Sequence, residues 1–397
     1  MYLYIQITTI ILYIVATTLP VAHGSPVLRS RPVVGILSQP YHGNNDYIAA
    51  SYVKWLESAG ARSIVIPYEA DDNLLEEVFT QINGVLFPGG ESDLPPHAHK
   101  IWNLISVRNA NDGDFFRVWG TCLGFEFLVM LAGGKDVLQT GFDAENISLP
   151  LIFPTMEDVA KSGGIYSMDS KLYPISRSMR ETLTMTNITM NNHINGITPS
   201  QFMASTNLTQ LFHITSTNFD RNGRPFVSTI ESRNYPIYGT QYHPEKNNFE
   251  FGLRHGLSPF TKYYSDEPYE AINHSEEAVE LSMQLALFFV GQVRRSTHGK
   301  YHLLKRHPVV YQYPMEIGRG FEQVFLIPKA ESWNERQNNY EYHDHQQLIN
   351  SVVSLTLVCV MVFFVILRHL NLGLRHSVHK HYFYIPENPV SLEMLVE

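Results

Sequence analysis

The sequence predicts an α/β protein in which a central, mostly parallel sheet is covered by helices on both faces, followed by a single transmembrane helix. Three observations predict it. Short apolar runs alternate with segments of helical period between residues 32 and 135, two of those runs end in glycine-containing loops, and residues 348–367 carry no charge. Alternation of this kind builds parallel strands joined by crossover helices, so each strand is buried on both faces.

Val33-Val-Gly-Ile-Leu37 is the first short apolar strand. Residues 46–60 read as a helix, with Ile48, Tyr52, Trp55, Leu56 and Ala59 on one face, Asp46 as its cap and Gly60 as its stop. A strand at 63–67 and a short helix at 73–81 precede Val85-Leu-Phe87, which runs into Pro88-Gly89-Gly90. A helix at 99–109 leads to the strand 116–119, and 123–132 is again helical, closed by Gly133-Gly134. From 136 to 240 the chain is polar and β-rich, with strands expected at 228–230 and 237–238. An amphipathic helix is expected at 276–293, with closing strands at 309–311 and 321–327. In open sheets of this type ligands bind beyond the carboxyl ends of the strands. That places Pro88-Gly89-Gly90 and Gly120-Thr121-Cys122 at the expected site.

Composition narrows the function classes. The chain has 397 residues, 44% hydrophobic, with a formal net charge of −9. That content supports a folded core rather than disorder, and the mild acidity argues against a nucleic-acid partner held on a broad basic face. Residues 1–24 have the apolar core and small-residue end of a secretory signal. Residues 348–367, at about 1.5 Å per helical residue, span about 30 Å, the thickness of a bilayer core. Arg368, Arg375 and Lys380 come after that stretch, so the tail at 368–397 is expected on the cytoplasmic side. The expected organisation is a signal at 1–24, a luminal domain at 25–329, a polar stalk at 330–347, a span at 348–367 and a tail. Four sequons, at Asn146, Asn187, Asn207 and Asn273, lie on the luminal side of the span and agree with export. Such a protein belongs to the secretory pathway, in the lysosome or at the cell surface, with shedding possible by cleavage in the stalk.

The two cysteines are Cys122 and Cys359, and Cys359 falls in the expected span. Cys122 therefore has no intrachain disulfide partner in the luminal part. It is an intermolecular bridge, a small buried hydrophobe or a reactive thiol. Its setting favours the last. Gly120-x-Cys122-x-Gly124 between a strand and a helix has the form of a nucleophile elbow, in which the glycines remove clashing Cβ atoms. The helix N-terminus is expected to lower the thiol pKa, and the Leu123 N–H, with Gly90 as a second donor, faces a developing oxyanion. His243, two residues before Glu245, is a candidate base with a carboxylate to orient it. With 18 histidines in the chain, that pair carries little weight by itself.

Several segments together resemble gamma-glutamyl hydrolases of the class I glutamine amidotransferase-like superfamily. These are Pro32-Val-Val-Gly-Ile-Leu37, Tyr47 through Ala61, Ile82 through Gly90, Trp119-Gly-Thr-Cys-Leu-Gly-Phe-Glu126, Thr229-Ile-Glu231 and Tyr235 through Lys246. The resemblance runs from about residue 30 to about 328 and implies the superfamily's α/β fold. It also implies a cysteine nucleophile at Cys122, a histidine base at His243 and a triad-like carboxylate at Glu245. Asn192-His193-Ile-Asn-Gly-Ile-Thr-Pro-Ser-Gln-Phe202 resembles a further family motif, which implies His193 at the substrate site. Glu126 matches as well, as a substrate or supporting residue, the alternative being a helix-surface carboxylate near an N-terminus. Tyr242 and Phe251 depart from the tryptophans that relatives commonly carry. The span and tail depart too, since familiar members are soluble.

The resemblance implies hydrolysis of folyl or antifolyl poly-γ-glutamates, a small-molecule substrate, with no metal or organic cofactor. Family members are often homodimers. Two other classes stay in view: a catalytically silent, membrane-anchored binding ectodomain on the same fold, and a glutaminase serving a synthetase. The first has no need of Cys122, His243 and Glu245 together. The second is disfavoured by the export signals.

Overall fold

The computed structural model describes residues 31–111, 115–172, 177–252, 268–296, 309–317 and 321–329, together with 361–363 and 365–366. The chain divides into two compact units, Met1–Asn334 and Glu335–Glu397. In the second, the described residues are helical and exposed. The expected signal, stalk and tail, and all of the expected span but those residues, lie outside what is described. Among the described residues no helix is long and apolar enough to cross a membrane.

The first unit opens with β1 (Val33–Leu37), β2 (Gln39–Pro40), β3 (Asn45–Ala49), α1 (Ala50–Ser58), β4 (Arg62–Ile66), α2 (Asp72–Phe79), β5 (Gly84–Phe87), α3 (Ala98–Asn111), β6 (Arg117–Thr121) and α4 (Leu123–Gly133). Its middle holds β7 (Gln139–Leu149), α5 (Met156–Lys161), α6 (Arg177–Met185), β8 (Thr189–Gly196), α7 (Pro199–Ala204), α8 (Thr206–Leu211), β9 (Phe212–Phe219), β10 (Pro225–Ser232) and β11 (Ile237–Thr240). Then come α9 (Lys246–Phe249), α10 (Glu276–Val293), β12 (Met315–Glu316) and β13 (Val324–Pro328).

The main sheet has seven strands in the order β4-β1-β5-β6-β11-β10-β9. Strands β4 through β11 run parallel, while β10 and β9 complete the sheet antiparallel. Its two faces are read directly from the period of two. Val34, Ile36, Leu86 and Trp119 pack with α1 and α10, whereas Val33, Leu37, Val85, Phe87 and Val118 pack with α2, α3 and α4. Both faces are thus apolar and covered by helices, as expected of a mainly parallel sheet. Trp119 anchors the first of these cores, with its ring 5.2 Å from Trp55 and 5.6 Å from Phe289. A four-stranded sheet, β12-β13-β3-β2, and an antiparallel β7-β8 pair complete the strands described.

Two expected elements are corrected. Asp46 is not a helix cap. It lies in β3, paired with β2 and β13, where its buried carboxylate accepts from Ser38 Oγ at 2.8 Å, and α1 begins four residues later at Ala50. The apolar period of residues 46–49 fits an extended strand as well as a helical turn, and pairing decides it. Gly60 does stop the helix, with φ +87 and its N–H on the Glu57 carbonyl. Residues 309–311 are not a strand either: Val309 makes one bridge to Ile64 before a 3₁₀ turn at Val310–Gln312.

Candidate active site

Cys122 sits where β6 gives way to α4, with φ +50, in the left-handed region that L-residues rarely enter. Two backbone bonds hold it there. Its N–H donates to Thr240 O at 2.8 Å, and its carbonyl accepts from Glu126 N–H at 3.0 Å. The flanking glycines are required by close approach. A Cβ on Gly120 would lie 2.5 Å from Gly124 O, and one on Gly124 would lie 1.9 Å from Phe87 O. The chain therefore makes the turn only with hydrogen at both positions.

Phe87 ends β5, and the loop after it reaches the same point. A Cβ on Gly89 would meet His243 Cε1 at 2.6 Å, the Tyr52 hydroxyl at 2.8 Å and Cys122 Cβ at 3.3 Å. The imidazole, the phenol and the cysteine thus crowd around one backbone position. Gly90 lies beyond, facing Gln39 and the Tyr47 hydroxyl.

His243 comes after β11, which pairs with β6 so that Thr240 stands opposite Thr121. Its Nδ1 lies 2.7 Å from Glu245 Oε1, and both side chains are buried. Its N–H donates to Met190 O at 2.8 Å, tying the loop to β8. Tyr52, on α1, is the residue that the sequence reading leaves in the core. Its hydroxyl accepts from Gly89 N–H at 2.7 Å, lies 3.3 Å from His243 Nδ1 and bonds the Glu245 carboxylate. Helical spacing puts Tyr52 on the apolar face, and nothing local distinguishes its hydroxyl from a packing group.

The electrostatics overturn one expectation. Burial pushes the Cys122 thiol up from its ordinary value, Glu126 adds to the rise, and the opposing pull of Lys246 and the Leu123 N–H is outweighed. Desolvation therefore wins over the helix N-terminus, and the resting thiol is neutral. Glu126 is not a helix-surface carboxylate. It is buried at 3% exposure, accepts from Gln241 Nε2 at 3.1 Å, and burial raises its pKa to about 7. His193, on β8, is also buried, and burial, with a smaller contribution from His243 nearby, lowers its pKa to about 4. A neutral His193 donates from Nδ1 to Asn195 O at 2.8 Å, and its buried Nε2 has no partner among the described residues.

Lys246, directly after Glu245, contacts both oxygens of Glu270 at 2.6 Å. Asn192 joins this pair to the thiol, since its carbonyl is 3.8 Å from Cys122 Sγ and its Nδ2 donates to Glu270 Oε1 at 2.7 Å. Lys246 and Asn192 lie inside motifs the sequence made visible, but Glu270 has no local signal at all. Of the sequons, Asn187 and Asn207 are exposed, while Asn146 and Asn273 are part-buried and engaged in hydrogen bonds.

The structure thus gathers Cys122, Leu123, His243 and Glu245 beyond the carboxyl ends of β5, β6 and β11, with Gly90, His193 and Glu126 around them. Comparison with known proteins identifies the family. Residues 32–140 match the Peptidase C26 family. The chain is 38% identical to gamma-glutamyl hydrolase B of Dictyostelium discoideum over 68% of this chain and 74% of the relative. It is 36% identical to the gamma-glutamyl hydrolase of Bos taurus and 33% to that of Homo sapiens, each over 75% of this chain and 90% of the relative. Among solved structures, the glutaminase domain of Trypanosoma brucei CTPS with bound acivicin is similar with a TM-score of 0.40 and 12% identity, covering 67% of this chain and 95% of that one. At 33–38% identity to the three hydrolases, over that much of each relative, the chain belongs to the gamma-glutamyl hydrolase family.

Proposed function

We propose that the protein is a thiol hydrolase that cleaves the γ-glutamyl bonds of folyl and antifolyl poly-γ-glutamates. The observation that carries this reading is the gathering of Cys122, His243 and Tyr52 around the Gly89 backbone, with Glu245 on the imidazole Nδ1. Glu245 accepts from Nδ1–H, which leaves His243 Nε2 to act as the base. Because the thiol is neutral at rest, His243 takes its proton as Cys122 Sγ attacks the γ-amide carbonyl. The Leu123 and Gly90 amides stabilise the oxyanion; the Gly89 amide is already engaged by Tyr52. The imidazolium then protonates the leaving amine, and water hydrolyses the thioester with His243 again as base. The bare Nε2 of His193 is suited to accept a hydrogen bond from substrate, and Glu126, beside Gln241, lines the same end.

In this reading the reaction takes place in the lumen of the secretory pathway or lysosome, or at the cell surface, with residues 348–367 as anchor. The export signals in the sequence support that placement, and carbonate extraction of membranes tests it. The chemical test is incubation of the purified protein with pteroyl-pentaglutamate, followed by chromatography, for wild type and Cys122→Ala. Shortened products with wild type and intact substrate with Cys122→Ala are expected. Intact substrate with wild type at both acidic and neutral pH refutes the hydrolase reading and leaves a binding ectodomain.

A further inference from the structure

A buried ammonium beside a nucleophile invites the question of what it is there to hold. Lys246 is 2% exposed and Glu270 is 7% exposed, so the pair is shielded from water. Glu270 is held by Lys246 Nζ on both of its oxygens and by Asn192 Nδ2 on one, an ammonium and an amide donor converging on a single carboxylate. The Phe321 ring lies 5.3 Å from the ammonium and closes one side. Lys246 is near enough to Cys122 to act on its thiol, and the Asn192 carbonyl touches Sγ. The carboxylate of Glu270 thus occupies a cradle built against the reacting sulfur.

Glu270 comes to this cradle from the outside. Its neighbours Pro268, Tyr269 and Ala271 are exposed. The segment is fastened by Tyr269 N–H to Gly252 O at 2.7 Å, Ala271 N–H to Asn146 Oδ1 at 2.5 Å and Ser148 Oγ to Ala271 O at 2.9 Å. A buried side chain on an exposed strap can withdraw without unpacking the core. Withdrawal into water would leave Lys246 an uncompensated buried charge, which is strongly unfavourable, whereas exchange for another carboxylate keeps the ammonium paired throughout.

We infer that Lys246 and Asn192 form a carboxylate-binding site that Glu270 fills in the empty protein, and that a ligand carboxylate enters by displacing Glu270. The ligand class is a γ-glutamyl chain, which presents an α-carboxylate near each γ-amide; that identity rests on the hydrolase reading. The strap acts as a self-supplied competitor, so it weakens apparent affinity by the fraction of time it is seated.

The test is calorimetric titration with γ-L-glutamyl-L-glutamate of the full chain carrying Cys122→Ala, with and without Glu270→Ala. If the seated state accounts for nine-tenths or more of the empty protein, Glu270→Ala tightens Kd about tenfold or more. Adding Lys246→Met abolishes that gain. Should Glu270→Ala fail to fold, Glu270→Gln keeps the side-chain shape, removes the charge and gives the same direction. A Kd unchanged or weakened in a folded Glu270 variant, or no binding to any variant, overturns the inference. Since these proteins cannot turn over, the outcome is separate from hydrolysis. Tightening without wild-type turnover removes the hydrolase reading and keeps the site, while turnover without tightening does the reverse.

Discussion

The Tyr52 hydroxyl accepts the Gly89 N–H at 2.7 Å, and through this bond a core helix fixes the loop that borders Cys122. The same oxygen stands 3.3 Å from His243 Nδ1 and bonds Glu245, so one buried phenol joins the loop, the imidazole and its carboxylate. Tyr52→Phe keeps the ring in the core and deletes only that junction. Loss of a buried partner costs about 1–3 kcal/mol, and about 1.36 kcal/mol is tenfold in rate. We expect kcat to fall by about 5-fold to 150-fold with KM little changed, measured by steady-state kinetics on pteroyl-pentaglutamate. Equal kcat would reduce Tyr52 to a packing residue.

Gly124 and Gly291 make opposite predictions for the same substitution. In Gly124→Ala the new Cβ meets Phe87 O at 1.9 Å and Phe87 C at 2.5 Å, backbone atoms that cannot swing aside as a side chain does. Overpacking of a tight core costs about 1–3 kcal/mol and more where backbone must move, so this variant is expected at the upper end or beyond. Gly291 lies in α10 with nothing within 4 Å of its would-be Cβ. There alanine removes the helix penalty of glycine and should stabilise by roughly 0.5–1 kcal/mol. Urea denaturation of both variants checks the pair.

Burial raises Glu126 and Glu250 to about 7 from an ordinary 4.5. Between those two values the folded protein holds more protons than the unfolded chain, so each group makes stability fall as pH rises. The slope is on the order of 1 kcal/mol per pH unit for each group across that window. Glu126→Gln keeps the acceptor for Gln241 and cannot ionise. It should match wild type in stability at pH 4 and exceed it at pH 8. Denaturation midpoints at the two pH values decide it, and equal offsets at both would contradict the assignment.

His193 carries the opposite sign. Its pKa falls from 6.5 to about 4, chiefly through burial, so the unfolded chain binds a proton that the folded one refuses, and stability is lost as pH drops through that interval. The His193 Cε1–H resonance should therefore titrate near 4. A midpoint near 6.5 would mean that the ring is open to water.

The parts of the site legible in the sequence are those written locally. Gly120, Cys122 and Gly124 announce their turn because one crowded corner demands two glycines within five residues. The two-sided core is equally legible, since β1 and β5 are apolar at every position that the helices cover. What pairs at a distance is not. Asp46 reads as a cap because a strand and a helical turn share the pattern of residues 46–49, and only β13, far along the chain, settles which forms. Tyr52 hides among apolar neighbours for the same reason. The thiol's acidity is illegible because the sequence shows the helix N-terminus but not the depth of burial around it. Glu270 belongs to no recognisable spacing, and only the folded chain brings it to Lys246.

The parallel pairing of β6 with β11 has a consequence for how this protein can change over time. Both strands emerge level with one another, so the spacing between sulfur and imidazole depends on strand alignment as well as on the contacts that hold the His243 loop. Deleting a single residue within β11 would pull His243 back along the strand axis by about 3.3 Å and turn alternate side chains to the opposite face. These two strands therefore tolerate replacement of residues more readily than a change in their number.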